Sequence, residues 1–297
     1  MKVRIGIGFG TQSFPSEDLL VDLAGCLEEL SFDSIWLSER LNGGTFDPIV
    51  SLSYIAGVTR KLKLGTSVLV LPGRNPAILA KELATLDRLS GGRFLPAFGL
   101  GVVDPIEQMA FGVERAQRAP WFDEALPLLR RLWTEDDVTH HGAFFNCEHL
   151  SIHPKPRQSP PDVWLGGMAP SELRRTGRLG DGWLPSTCTP AEAAEGRKLV
   201  DQAAADAGRR IDPEHFGVSI VYAEGEIPEV LARRVTRRRP DADPRDFYPV
   251  GLPAARELMQ RFVDVGFSKF ILRPATEPQS WRPELQRMAD TVLTLQN

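Results

Sequence analysis

The 297-residue sequence predicts an α/β fold, a (β/α)8 TIM barrel with insertions after its fourth and seventh strands. Eight short apolar segments recur along the chain, and each is followed by residues with the apolar spacing of a helix. Strands that alternate with helices in this way indicate βαβ units and a parallel sheet. Because no linker interrupts the alternation, we expect residues 1–297 to form a single domain.

The first four units are regular. Their strands are predicted in the segments VRIGIGFG, SIWLSE, KLGTSVLVLP and RFLPAFGLG, which begin at positions 3, 34, 63 and 93. Ser16, Asp47 and Asn75 each stand where they would cap the helix that follows a strand. Pro48 and Pro76 come directly after two of these caps, and proline suits the first turn of a helix.

The second half of the chain is less even. An amphipathic helix is predicted over 120–134 and a surface hairpin over 138–156. The four remaining strands are predicted at DVWLGG, DGWLP, HFGVSIVYAEG and SKFILRP, with helices between them. The segment 233–251 is charged and interrupted by proline, so we predict a mobile segment that is either lid-like or simply solvated.

Charge and composition exclude several classes of partner. A net charge of -4 and a pI near 5.8 give no electrostatic basis for binding nucleic acid or an anionic membrane. No apolar run is long enough for a membrane span, and three scattered cysteines fit reduced thiols in a cytoplasmic protein. No set of histidine, cysteine and carboxylate residues has the spacing of a metal site, so no metal is predicted.

One strand carries an anomaly. The segment LGTSVLVLP (64–72) is apolar at Leu69, Val70 and Leu71, but glycine and two hydroxyl residues interrupt it. Glycine within a strand indicates a bulge or the close approach of another group. In a barrel, function lies at the carboxyl ends of the strands. Those ends are rich in glycine and hydroxyls and poor in acid/base side chains, which argues against an isomerase or a metal hydrolase.

Several segments resemble one family. They are KELATLDRLSGGRF (81–94) with GLG (99–101), WFDEALPLLRRLW (121–133), VWLGGMAPSELRRTGRLGDGWLP (163–185) and DVGFSKFILRP (264–274). In this order they resemble the bacterial luciferase-like superfamily of flavin- or deazaflavin-dependent oxidoreductases. The resemblance implies a TIM barrel that binds FMN or the deazaflavin coenzyme F420.

The resemblance also implies where the cofactor binds. In the family, the third strand ends in a bulge, commonly with a non-prolyl cis peptide, that contacts the cofactor ring. A glycine turn after strand five receives its phosphate, as backbone N–H groups before a helix can do. Carried over to this sequence, the cofactor-binding residues are Ser67, Val68, Gly99, Gly101, Gly166, Gly167, Met168, Gly182 and Trp183. The alternatives are an ordinary bulge, a generic glycine turn and barrel packing for Trp183.

Two departures from the family bear on catalysis. Deazaflavin-dependent members commonly carry an acid and a histidine at the end of strand two, where this chain has Glu39 and Arg40. Arginine stays protonated, so we expect Arg40 to anchor an anionic substrate or stabilise charge on the reduced cofactor. Glu39 would hold the ring or substrate, unless the two form a mutual ion pair. Val102 replaces a glutamate of the sugar-phosphate dehydrogenases, and Tyr222 is a candidate proton donor.

These observations predict an oxidoreductase that transfers a hydride between coenzyme F420 and an unidentified small organic substrate. An FMN-dependent monooxygenase that uses reduced flavin and oxygen is the alternative. A flavin- or deazaflavin-binding protein without turnover is a second alternative, kept by the missing histidine and glutamate. The resemblance also leaves a homodimer open.

Overall fold

Short apolar strands and longer amphipathic helices alternate as the sequence predicts. The computed structural model describes residues 1–10 and 17–297, so the expected cap at Ser16 lies outside the described residues. The strands are β1 (Arg4–Phe9), β2 (Ser34–Leu37), β3 (Lys63–Thr66), β4 (Leu69–Val70), β5 (Phe94–Leu95), β6 (Ala97–Gly99), β7 (Val138–His141), β8 (Asn146–Leu150), β9 (Trp164–Leu165), β10 (Gly182–Trp183), β11 (Gly217–Tyr222) and β12 (Lys269–Pro274).

The helices cover the outside of the sheet. They are α1 (Glu17–Glu29), α2 (Pro48–Val58), α3 (Pro76–Leu89), α4 (Pro105–Ala110), α5 (Arg118–Thr134), α6 (Pro170–Leu179), α7 (Pro190–Asp206), α8 (Glu229–Thr236), α9 (Leu252–Asp264) and α10 (Trp281–Val292). Asp47 accepts a hydrogen bond from the Val50 N–H, and Asn75 accepts one from Ala77, which confirms both predicted caps. Each helix among the described residues is too short or too polar to serve as a membrane span.

The strands form a ring of parallel neighbours. One sheet has the order β11-β12-β1-β2-β3-β5, and a second has the order β10-β9-β6-β4. Parallel bridges from Trp183 to Phe216 and from Ser186 to Ser219 connect the second sheet to β11. The third barrel strand therefore consists of β3 and β4, and the fourth of β5 and β6. The predicted TIM barrel is confirmed, with the carboxyl ends of its strands meeting at one mouth.

Side chains that alternate along the strands fill the ring. Five buried residues from different strands form a separate apolar cluster, namely Trp36, Ala97, Trp164, Leu184 and Ile271. The residues between them on each strand face the helices, where they join a much larger cluster that runs from β1 to α10. The ring is therefore a packed core, so a ligand is expected at the mouth above this cluster.

Both predicted insertions are present. The helices α4 and α5 and the β7–β8 hairpin stand between β6 and β9, and α8 and α9 stand between β11 and β12. The segment 233–251 begins inside α8, continues in turns and a short 3-10 helix (Pro244–Asp246), and buries Phe247 and Tyr248, so it is not simply a solvated loop. That it is mobile or acts as a lid stays a prediction. These rings pack with Val221 of β11 over one side of the mouth. That residues 1–297 form one domain stays a prediction.

Candidate active site

The third barrel strand is broken between β3 and β4, and the peptide between Ser67 and Val68 is cis. Strand β2 bonds to the polar groups at the break. The Ser67 N–H donates to the Leu37 carbonyl over 2.7 Å, and the Val68 carbonyl accepts from the Glu39 N–H over 3.3 Å. The Ser38 hydroxyl donates to the Ser67 carbonyl over 2.7 Å. The break is thus a defined structure with its backbone groups paired.

Barrel packing explains the glycine and the threonine of this strand. A Cβ atom on Gly65 would overlap the Trp36 indole, so the glycine makes room for the largest ring inside the barrel. The Thr66 hydroxyl donates to the Ala97 carbonyl over 2.9 Å and accepts from the Ala97 N–H over 2.8 Å. Gly65 therefore accommodates a tryptophan, and the polar side chain beside it joins two strands where their ladder is interrupted.

Val68 lies at the level of the mouth, on top of the apolar cluster inside the barrel. Two glycines on neighbouring strands flank it. A Cβ on Gly99 would lie 2.6 Å from Val68 Cγ2, and one on Gly166 would lie 3.4 Å from Val68 Cγ1. The structure thus brings Ser67, Val68, Gly99 and Gly166 together. They form an apolar surface, in which the Val68 methyls lie against two strand ends that carry no side chains.

Gly101 lies one step further out on the loop after β6. Its φ of +83° is in the region that favours glycine, and a Cβ there would lie 2.5 Å from Arg118 Nη1. The buried Arg118 donates to the Leu100 carbonyl over 2.7 Å. Gly101 thus lets this arginine brace the loop beside Val68.

The predicted phosphate loop follows β9 and leads into α6. The N–H groups of Met168 and Ala169 donate to one oxygen of Glu172, over 3.0 and 2.9 Å. Gly167, with φ of +109°, lies against the same carboxylate. Glu172 and Arg175 line a small cavity of about 20 Å³ that reaches to the two glycines beside Val68. The loop is therefore an anion cradle in which a carboxylate of the chain already occupies two N–H groups.

The last two predicted cofactor residues do not reach the mouth. A Cβ on Gly182 would lie 2.5 Å from the Trp164 ring, so this glycine makes room in the middle of the barrel. Trp183 is fully buried on the helix side of the ring. Its Nε1 donates to the Gly167 carbonyl over 3.0 Å, so it contacts the phosphate loop from behind.

Glu39 is buried at the end of β2 and has two partners. Its Oε2 accepts from the Val70 N–H over 2.6 Å, and its Oε1 pairs with Arg74. Burial raises the pKa of Glu39 above its ordinary value, and Arg74 opposes the shift. With both oxygens engaged, the buried side chain joins the end of β2 to β4, on the carboxyl-terminal side of the cis peptide.

Arg40 also has partners from the chain, on α4. Its Nε lies 3.1 Å from an oxygen of Glu107, and its Nη2 lies 3.5 Å from one of Asp104. Glu107 is buried and also accepts from the Asn42 N–H over 2.9 Å. The two residues chosen from the sequence, Glu39 and Arg40, are therefore not a mutual ion pair. Each has its charge balanced by another residue.

Tyr222 is wrong as a proton donor at the mouth. Its hydroxyl donates to the carboxylate of Glu284 on α10, and the whole side chain is buried on the helix side of β11. Burial raises the pKa of this phenol further above its ordinary value. A different tyrosine, Tyr248, reaches the strand ends and lies 3.4 Å from the Thr187 hydroxyl.

Sequence reasoning missed Arg273, the last inward-facing position of β12. It follows Lys269 and Ile271 at intervals of two, and Ile271 belongs to the cluster inside the barrel. Its Nη1 lies 2.6 Å from where a Cβ on Gly10 would be, at the end of β1. The signal was present in SKFILRP, since period-two alternation from Ile271 places the arginine on the mouth side of the ring.

Comparisons with known proteins identify the family of the chain. A family profile described as luciferase-like monooxygenase matches residues 4–291. A curated F420-dependent glucose-6-phosphate dehydrogenase from Kineococcus radiotolerans is 32% identical over 186 residues, which cover 59% of this chain and 53% of that protein. The protein of the same name from Nocardia farcinica is 32% identical over 253 residues, 79% of this chain and 73% of that protein.

A solved structure gives the fold independently. The F420-dependent secondary alcohol dehydrogenase, in complex with an F420-acetone adduct, superposes with a TM-score of 0.83 at 20% identity and covers 100% of both chains. At this identity the likeness concerns the fold alone. The aligned region spans about half the length of the first curated relative.

Proposed function

The chain belongs to the luciferase-like monooxygenase family, and on this premise we propose that it is an oxidoreductase that transfers a hydride between coenzyme F420 and an organic substrate. The apolar surface at Val68, where the neighbouring strand ends at Gly99 and Gly166 carry no side chains, is the observation on which the proposal rests. A planar tricyclic ring needs a support without protruding side chains. The F420-dependent dehydrogenases among its relatives support the choice of cofactor.

The described residues fit such a cofactor at both of its ends. Val68 and its flanking glycines support the ring, and the loop from Gly167 to Ala169 offers N–H groups to the phosphate. Those N–H groups already hold an anionic oxygen, that of Glu172, so their chemistry suits a phosphate once the carboxylate turns away. Arg175 lines the adjoining cavity, and its Nε is already paired with Asp123 over 2.6 Å.

The residues of the chain act mainly by orientation. When bound, the deazaflavin supplies a ring carbon that accepts or releases the hydride. Ser38 and Glu39 bind the backbone at Ser67 and Val70, on both sides of Val68. These bonds fix the position of the apolar surface at Val68, called the floor of the site, on which the ring would lie. We assign Glu39 to this positioning role. Arg40 has a structural role in this proposal: it pairs with Asp104 and Glu107 and so connects the end of β2 to α4.

FMN is the second candidate cofactor, because the family profile itself is described as a monooxygenase. With FMN, the reaction would be a monooxygenation that uses reduced flavin and oxygen. The two possibilities separate in one titration. We expect purified protein to quench the fluorescence of coenzyme F420 saturably and to leave the absorption spectrum of FMN unchanged. A shift of the FMN spectrum without F420 binding would overturn the proposed cofactor.

A variant of the floor tests the site itself. A Cβ at Gly166 meets Val68 at an ordinary contact distance, so Gly166→Leu is expected to fold while its branched side chain covers the floor. We expect F420 affinity to fall at least tenfold. Gly225→Ala is the matched control, because nothing lies within 4 Å of a Cβ there. Equal F420 affinity in Gly166→Leu and the wild type would exclude this floor as the ring site.

Turnover separates an enzyme from a protein that only binds the cofactor. A screen of secondary alcohols and sugar phosphates, with F420 reduction followed by its absorbance, is expected to find a substrate. Binding of F420 without reduction by any compound would favour the non-catalytic alternative. Three free cysteines support a cytoplasmic location.

The homodimer remains a proposal. Three apolar side chains, Val50, Tyr54 and Val58, recur every fourth residue on the exposed face of α2. A stripe of this kind is typical of a contact surface. Sedimentation equilibrium on Tyr54→Glu and the wild type tests whether this face holds two copies together.

A further inference from the structure

The guanidinium of Arg273 lies at the mouth of the barrel without a partner. Among residues 1–10 and 17–297, no side chain or carbonyl forms a hydrogen bond or an ion pair with it. Two other arginines around the mouth have carboxylate partners, since Glu39 pairs with Arg74 and two carboxylates pair with Arg40. A half-buried cation with five donors and no acceptor is costly unless a ligand supplies the acceptors.

The surroundings increase the local positive charge. Burial lowers the pKa of Arg273 below its ordinary value, and repulsion from Arg234 on α8 adds to this shift. The Arg234 side chain is exposed. Arg273 therefore has a second cation in its neighbourhood, and no carboxylate among the described residues forms an ion pair with it.

The position of Arg273 separates it from the predicted phosphate loop. Arg273 is on β12 and approaches Gly10 at the end of β1, whereas the loop around Gly167 follows β9. In the ring, β12 is separated from β9 by β11 and β10 in one direction. The arginine therefore lies at the mouth on the β12–β1 side of the ring, away from the cradle for the cofactor's phosphate.

From this geometry we infer that Arg273 binds an anionic oxygen group of the substrate, a carboxylate or a phosphate. That the bound anion belongs to a substrate rests on the proposed function, whereas the anion site itself does not depend on it. The planar fork of arginine matches two oxygens of either group. Arg234 strengthens the field that draws the anion in, and Tyr248 closes the side of the site next to β11.

Anion binding is measured first, without any redox reaction. The thermal unfolding midpoint of the purified protein is followed in sodium benzoate and in inorganic phosphate, against sodium chloride of equal ionic strength, with and without F420. We expect saturable stabilisation of the wild type by at least one anion. Arg273→Gln should bind that anion about tenfold to a hundredfold more weakly, the loss expected for a charge-assisted pair of hydrogen bonds.

Matched variants make the result specific. Arg238→Gln removes an exposed arginine of the same insertion and is expected to behave as the wild type. Arg273→Lys keeps the charge without the fork and should retain part of the affinity. No stabilisation of the wild type beyond sodium chloride overturns the inference, as does unchanged anion affinity in Arg273→Gln. Loss of F420 affinity in Arg273→Gln, with the anion effect intact, assigns the arginine to the cofactor and also overturns it.

Substrate pairs then identify the anion. An acid and its methyl ester, and a phosphate monoester and its parent alcohol, are compared by F420 reduction in the wild type and Arg273→Gln. We expect kcat/KM to favour the charged member of one pair at least tenfold, and the preference to disappear in the variant. An equal preference in both proteins contradicts the inference. Absence of F420 binding with anion stabilisation intact would refute the proposed function and leave the anion site standing.

Discussion

The pair of Glu39 and Arg74 allows a quantitative test of how the floor of the site is held. The Glu39 carboxylate is 2% exposed and the Arg74 side chain 21% exposed. Arg74→Met removes the more exposed partner and leaves a buried carboxylate with the Val70 N–H as its remaining partner among the described residues. Glu39→Gln keeps the shape and an acceptor for Val70, and the cation it leaves is partly in water.

The two substitutions are therefore expected to differ in cost. Breaking a buried ion pair by removing one partner costs about 3–5 kcal/mol, and partial exposure of Arg74 places Arg74→Met near the lower end, about 3 kcal/mol. Glu39→Gln should cost about 1–2 kcal/mol, the price of one hydrogen bond to a charged group. In the double variant no charge is left unpaired, so its cost should be about 2 kcal/mol, well below the sum of the two.

Urea unfolding at pH 5 and pH 8 measures the free energy of unfolding of each variant and shows whether it rises or falls with pH. Without Arg74, the Val70 hydrogen bond still opposes the effect of burial on the Glu39 carboxyl but the cation no longer does, so its pKa in the folded state should lie further above the unfolded value. The folded state then binds more protons, so Arg74→Met should lose stability as the pH rises through this window. Arg60→Met, at an exposed arginine, is the control. Equal costs for Arg74→Met and Arg60→Met, or strict additivity in the double variant, would refute this reasoning.

Three further substitutions test the barrel around the site. Gly65→Ala places a methyl group inside the Trp36 indole and should lower the free energy of unfolding by about 1–3 kcal/mol or more, measured by urea titration. Tyr222→Phe should cost about 1–3 kcal/mol in the same assay and leave kcat unchanged, because its hydroxyl contacts a helix residue and not the mouth. Burial opposes ionisation of Asp33, but Lys269 and a second lysine outweigh it and hold the pKa of Asp33 below its ordinary value. This contribution is present above the ordinary pKa and is lost as the pH falls through the folded pKa, so Asp33→Asn should flatten the acid limb of the stability curve.

Controls for these three substitutions come from the same chain. Gly57→Ala, on a helix position with nothing within 4 Å of a Cβ, should be neutral or slightly stabilising. If it costs as much as Gly65→Ala, the overlap with Trp36 is not the cause. A large fall in kcat for Tyr222→Phe would return that residue to the active site. An acid limb for Asp33→Asn that matches the wild type would contradict the assigned pKa direction.

Local signals allowed most of the fold to be predicted. Asp47 and Asn75 precede prolines that suit a first helical turn, and both caps depend only on neighbouring residues. The packing of segment 233–251 could not be predicted in this way, because burial of Phe247 and Tyr248 depends on contacts with β11 that no local pattern records. Charge and proline left a solvated loop open as one alternative, whereas the structure packs these two rings against β11.

The candidate site was predictable in its backbone and less so in its side chains. The resemblance located the break at Ser67–Val68, and the structure has the cis peptide there. The partners of Glu39 and Arg40 come from Arg74 and α4, more than thirty residues away, so their pairing could not be read from the strand end alone. The inward position of Arg273 could be predicted from the alternation on its strand. Nothing in the sequence showed that it has no carboxylate partner among the described residues.

The hydrogen bond from the Trp183 indole to the Gly167 carbonyl has a practical consequence for directed evolution. The loop at the mouth is held by a side chain that lies behind the wall, and Gly196 on α7 leaves the space into which that side chain fits. Libraries confined to residues that touch a ligand would therefore overlook positions on an outer helix that set the shape of the loop. Changes in selectivity should arise there without any alteration of the groups that contact the bound molecules.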